Sequence, residues 1–259
     1  IEFAEETSYF EFIDGNKAQI KTVNPGTTIV KIVEKKDGTL KEIYSEGEFY
    51  HIENLLDREA NKEEIILKEP LEVGNSWESA EGDIKEITGL GVEIKTPYKT
   101  FEALEVTTKK DNGQVREYYV EGLGLVASLY QEGDFKVESL LRSMDKKSRK
   151  LAIEKYYPID VDSDIVYVED EISFETNGNI IEKLEEVLKN PPSKELIPLI
   201  SEETRINSIN LDRNDWRLRV DFSSDLVLDM NYGSAMETMI LESIINTLGR
   251  FYDVEGVSI

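Results

Sequence analysis

The stretch from Arg217 to Ile259 limits the possible folds more than any other part of the chain. Leu218, Val220 and Phe222 alternate with Arg217, Arg219 and Asp221, the period-two pattern of a half-buried strand. Ser234 and Glu237 have capping-box spacing, in which each side chain satisfies an orphan amide at a helix start. Met236, Met239, Ile240, Ile244 and Leu248 then recur along one helical face. Gly249, which tolerates positive φ, is expected to end this helix near Leu248, and Gly256 to Ile259 to form a closing strand.

Strands are predicted upstream at 152–157 and 165–172. Asn177 is positioned to cap a helix whose apolar positions are Ile180, Ile181, Leu184, Val187 and Leu188, and Pro191-Pro192 stops it. After a link holding Pro198, residues 206–211 and 216–222 read as a hairpin across Arg213-Asn214-Asp215. Two amphipathic helices bury their stripes only against a sheet, so this region is expected to be α+β, with two helices on one face.

The Val220-Asp-Phe-Ser223 strand, the Gly233-Ser234 helix start, and Ile245-Asn-Thr-Leu248 leading to Phe251 and Val254 resemble the GerMN domain of sporulation and spore-germination proteins. Leu151-Ala-Ile-Glu-Lys-Tyr-Tyr-Pro158 resembles that domain's first strand, so the likeness spans roughly residues 149–259. Family members continue past the last strand with a further loop and strand, so a truncated C-terminus at Ile259 is expected. The resemblance implies a non-enzymatic, extracytoplasmic scaffold at the spore envelope or the membrane between forespore and mother cell. The domain is also similar in layout to ring-building modules of secretion machines. That implies self-association, or docking onto a spore-envelope protein, through a sheet edge or helix face. Trp216, Arg217 and Arg219 on the hairpin, with Glu237 and Glu242 on the second helix, are the candidate interaction surface.

The first part, residues 1–143, reads as all-β. Thr28–Val33 and Leu40–Tyr44 flank Asp37-Gly38 as a hairpin, and Phe101–Thr108 and Val115–Val120 flank Asn112-Gly113 as another. An antiparallel sheet or partly open β-barrel is expected. Pro70–Trp77, Ala103–Thr107 and Tyr118–Val126 resemble β-rich modules of uncharacterised exported Gram-positive proteins and lipoproteins, with Trp77 as a core anchor. Gly89-Leu-Gly91 and Gly122-Leu-Gly124 lack the third glycine and following helix of a phosphate loop and are read as bulges or tight bends. Residues 144–150 form a mainly basic linker, leaving 151–259 as the second domain.

The chain has 259 residues and a formal net charge of −24, from 30 basic and 54 acidic residues. That charge repels nucleic acid and anionic membrane surfaces at long range, so neither is expected as a partner. There are no cysteines, which excludes disulfides and thiolate metal sites. No apolar run is long enough to span a bilayer. The opening at Ile1 rather than Met suggests a trimmed chain, secreted or membrane-anchored as a lipoprotein through a segment lying upstream.

Candidate chemistry is sparse, and no cofactor is implied. His51, the single histidine, has no spaced partner and is read as structural or exposed. Asp160, Asp162, Asp164 and Glu171 have the carboxylate spacing of a calcium loop, but Ile165 replaces the glycine that the sharp turn requires. A polar β-turn is the favoured reading. The acidic pairs Glu63-Glu64, Asp170-Glu171, Glu185-Glu186 and Glu202-Glu203 are expected by chance in so acidic a chain. Two rival readings stand beside the scaffold: a cell-envelope module holding a glycan or lipid in its β domain, and a carboxylate hydrolase of wall polymers.

Overall fold

The computed structural model describes residues 4–159 and 164–259. Two compact units divide the chain: Ile1–Gly47 with Leu55–Lys147, and Glu48–Asn54 with Ser148–Ile259.

The first unit is built from two antiparallel meanders. One sheet holds β1 (Thr7–Asp14), β2 (Lys17–Val23), β3 (Thr28–Lys36), β4 (Thr39–Gly47) and β5 (Glu64–Lys68), in that order. The other holds β6 (Ser76–Glu78), β7 (Ile84–Lys95), β8 (Thr100–Lys110), β9 (Gly113–Val120), β10 (Gly124–Glu132) and β11 (Phe135–Leu140), also in order. Most sequence neighbours are joined by short, locally encoded turns; β4 and β5 are the exception and pair across residues 48–63. Asp37 and Gly38 both take positive φ, 49° and 69°, and close β3 onto β4 with Lys36 opposite Thr39. That is the backbone hand a twisted two-residue hairpin requires. Gly89 lies between two register shifts in the β7–β8 ladder, as expected of a bulge. Gly113 differs from expectation. It is the first residue of β9, opposite Lys110, and the turn itself is Asp111-Asn112. A Cβ on Gly113 would collide with the Gln131 carbonyl oxygen, so close approach of β10 is what demands glycine there.

On one face of the second sheet Phe101, Ala103, Tyr118, Val126 and Ala127 form a buried cluster. Trp77, Ile87, Val106 and Tyr119 form another. Trp77 is anchored by donating its indole N–H to the Ile65 carbonyl at 3.0 Å. The first sheet buries an ion pair: Lys21 Nζ lies 2.9 Å from Glu11 Oε1, with both side chains almost wholly inaccessible. Gln19 joins them, donating to Glu11 Oε2 at 3.0 Å and accepting from the Leu55 N–H at 2.8 Å.

The second unit is α+β. β12 (Arg149–Pro158) and β13 (Ile165–Phe174) form an antiparallel pair. α1 (Ile180–Lys189) follows, then β14 (Ile206–Asp212) and β15 (Arg217–Phe222) as a hairpin. After the short α2 (Asp225–Leu228) and the long α3 (Ser234–Tyr252), β16 (Gly256–Ser258) returns parallel to β15. α3 packs on β12 and β16, and α1 on β14. Ile153, Tyr157, Leu184, Leu188, Leu218, Ile240, Ile244 and Leu248 are all buried. These include the alternating and helical-stripe positions read from the sequence, so hydrophobic burial holds the helices to the strands.

The helix ends depart from the sequence expectations. Asn179, not Asn177, caps α1, accepting the Ile181 N–H at 3.0 Å. Asn177 instead occupies a left-handed turn at φ 62°. α3 starts at Ser234 with Gly233 at the cap position, so Ser234 is inside the helix and does not cap it. Glu237 still reaches back, accepting the Gly233 N–H at 3.3 Å. Gly249 does not end α3, which runs on until Asp253 takes the left-handed conformation at φ 52°. Aspartate tolerates that conformation better than most residues. Gly249 instead faces β16, where an added Cβ would sit 3.4 Å from Val257 Cγ2.

Candidate interaction surface

The tip of the β14–β15 hairpin is fastened to the end of α3. Trp216 takes a left-handed φ of 50°, which turns the chain back into β15. Its indole N–H donates to the Asp253 carbonyl at 2.7 Å, and its own carbonyl accepts the Glu255 N–H at 3.1 Å. Leu218 and Val220 point into the core, so Arg217 and Arg219 lie on the opposite, exposed face of β15. Arg219 Nη2 is 3.0 Å from Asp212 Oδ2, and Arg217 Nε is 3.7 Å from Asp215 Oδ2. Arg217 also lies over Gly256, where a Cβ would come within 3.0 Å of its Nη1. The Asn214 N–H, and then Arg219, hold the Asp212 carboxyl below its usual range. These pairs are solvent-exposed and contribute little to stability.

Beneath this tip lies the segment Glu48–Asn54. Phe49 and Ile52 are buried, and His51 is 4% exposed. The His51 ring sits 4.2 Å from Phe49, 6.3 Å edge-on to Trp216 and 6.4 Å from Tyr252. Its Nε2 faces Glu53 Oε2 at 3.3 Å. The same oxygen receives Arg213 Nη2 at 2.9 Å, and the Arg213 guanidinium lies 5.5 Å from the Phe49 ring centre. Burial, with Glu53 nearby, pushes the Tyr252 phenol up. His51 is therefore a core group rather than a surface one. Phe49 and Glu53 are local neighbours, but the rings that close over it, Trp216 and Tyr252, come from distant parts of the chain, so no local sequence signal marks its burial. Tyr50, His51, Arg149, Lys150 and Phe251 border a recess of about 170 Å³.

Glu237 and Glu242 lie on α3, Glu237 half-buried against Gly233 and Glu242 exposed. Of the five candidate residues, the structure joins Trp216, Arg217 and Arg219 around one hairpin tip. Asp160 and Asp162 lie outside the described residues. Asp164 Oδ1 accepts the Ile165 N–H at 2.9 Å, and Glu171 is exposed on β13, opposite Ala152. Among the described residues, no group of three or more His, Asp or Glu side chains could hold a metal ion. Several acidic pairs are engaged in structure: Glu63 with Lys41 at 2.6 Å, Glu64 with Lys85 at 2.7 Å, and Glu185 with the Ile206 N–H at 2.6 Å.

Residues 154–259 match the family model described as "Germane: Sporulation and spore germination". This part of the chain is a GerMN domain. The chain thus carries a domain associated with sporulation and germination. No curated protein and no solved structure matches it. The GerMN match contains the hairpin tip, α3 and β16, and begins within β12. Segment 48–54, which fills the space under Trp216, lies outside it. Among the described residues, no helix is long and apolar enough to cross a membrane.

Proposed function

We propose that the chain is a non-enzymatic, extracytoplasmic protein of sporulation or germination whose GerMN domain docks onto a spore-envelope protein through the tip and outer face of the β14–β15 hairpin. The observation carrying this reading is the presentation of Trp216, Arg217 and Arg219 together on a fastened turn. Tryptophan and arginine are the residues most enriched among energetic hot spots of protein interfaces. A surface held rigid before binding loses less conformational entropy on docking. Leu218, Val220, Ile240, Ile244 and Leu248 are all buried in the domain's own packing, so docking falls to its exposed faces.

Site-specific photocrosslinking in sporulating cells tests this. A crosslinking side chain at Arg219 is expected to capture a discrete protein partner, and one at Glu202, outside the hairpin, is not. The double variant Arg217→Glu/Arg219→Glu should lower sporulation or germination efficiency at unchanged protein level. Normal spores from that variant, or no protein captured from position 219, would remove this surface from consideration.

A further inference from the structure

Strand β11 is an open sheet edge of unusual character. Among the described residues it pairs with β10 on one side only, and every residue from Phe135 to Ser139 is exposed. Phe135 is 60% exposed and Val137 is 51% exposed. They share a face with Tyr130, whose ring centre is 6.3 Å from that of Phe135. Natural edges are commonly protected by charges, prolines or bulges, because unpaired N–H and C=O groups invite another strand. β11 has no proline and no register shift against β10. Its two charges, Lys136 and Glu138, are of opposite sign, and neither forms an ion pair among the described residues.

The turn geometry decides which backbone groups are free. Gly133-Asp134 closes the β10–β11 hairpin with Gly133 at φ 55° and Glu132 opposite Phe135. The residues flanking a two-residue turn exchange hydrogen bonds with each other, and the ladder then alternates. Phe135, Val137 and Ser139 therefore bond inward to β10, and Lys136, Glu138 and Leu140 turn their N–H and C=O groups outward. Beyond this stretch the Leu141 N–H bonds the Val126 carbonyl at 2.9 Å, and the Leu141 carbonyl accepts the Tyr98 N–H at 3.2 Å.

We propose that β11 is a homodimerisation edge, pairing antiparallel with β11 of a second copy about a two-fold axis at Val137. Outward groups must meet outward groups, which leaves Lys136 opposite Lys136, Glu138 or Leu140 of the second copy. The first register sets two lysines against each other. The third sets Glu138 against Glu138. Only the second places Lys136 opposite Glu138 of the second copy, and by symmetry it does so twice. It also brings the two Val137 side chains together in a close, non-hydrogen-bonded pair flanked by both Phe135 rings. The sequence Phe135-Lys-Val-Glu-Ser139 is thus self-complementary in one register, and the two six-stranded sheets become continuous. So short a strand pair gives a weak, concentration-dependent dimer.

Sedimentation of the intact chain over a concentration series tests the idea. Lys136→Pro removes an outward N–H without touching the β10 ladder and is expected to give a monomer at all concentrations. Lys136→Glu alone and Glu138→Lys alone each set like charges opposite one another and should weaken self-association roughly tenfold. Mixing those two variants restores both ion pairs, so a heterodimer should form where neither protein dimerises alone. A chain that stays monomeric up to millimolar concentration overturns the proposal. So does a dimer that survives Lys136→Pro, or a mixture showing no preference for the heterodimer. The docking surface proposed above is separate: Arg217→Glu/Arg219→Glu should leave this dimer intact.

Discussion

The indole N–H of Trp216 donates to the backbone carbonyl of Asp253 at 2.7 Å, binding the turn of one hairpin to the C-terminal cap of α3. Both residues hold left-handed backbone conformations, at φ 50° and 52°. Neither belongs to a regular element, yet together they close the GerMN domain at this end.

Trp216→Phe keeps an aromatic ring near His51 but removes the donor together with part of the indole's contact area. Stability should fall by about 1 kcal/mol, the usual net value of one hydrogen bond, in urea unfolding. No change in midpoint would mean that water replaces the indole at no cost.

Segment 48–54 fills the space under that tip, so truncating its anchor should be felt by the GerMN domain. Phe49→Ala deletes a fully buried ring and is expected to cost about 3–5 kcal/mol. Amide exchange should report the loss in α3 and β15. Exchange confined to residues 4–47 would show that the segment does not support the domain.

The Lys21–Glu11 pair is buried, with Gln19 bonded to the carboxylate. Lys21→Met should destabilise the first unit by about 3–5 kcal/mol, because it removes the cation that faces a buried carboxylate. Adding Glu11→Leu should recover a large part of that loss. A double-mutant cycle reads the coupling, and strictly additive effects would show that the two groups do not interact energetically.

Alkaline pH should weaken the fold. Burial, and then the charge of Asp170, push the Tyr157 phenol above its ordinary value, and its O–H donates to the Val187 carbonyl at 2.6 Å. The folded state therefore keeps a proton that the unfolded chain releases above pH about 10. Stability is fully present below that pH and is lost as pH rises through the interval up to the folded value. Tyr157→Phe should be less stable at neutral pH and show a shallower alkaline decline. Parallel curves for the two proteins would exclude Tyr157 as the source.

Gly113→Ala drives a methyl group into the Gln131 carbonyl, which only a backbone shift can relieve. A loss of about 1–3 kcal/mol is expected in thermal unfolding. Gly47→Ala, with open space around the added carbon, serves as the control.

The sequence by itself determined the elements whose causes are local. The Asp37-Gly38 hairpin, the apolar stripes of α1 and α3, the alternation in β15 and the family likeness of the C-terminal part were all readable, because period and turn chemistry act over a few residues. Helix ends were less legible: Asn179 rather than Asn177, and Asp253 rather than Gly249, because capping depends on which residue reaches the required dihedral angles. Tertiary structure alone decided the rest. The grouping of residues 48–54 with the second unit, the burial of His51 among rings from three separate segments, and the pairing of Lys21 with Glu11 have no local signature. Burial is a property of what the rest of the chain places around a residue, and a short window of sequence does not contain those neighbours.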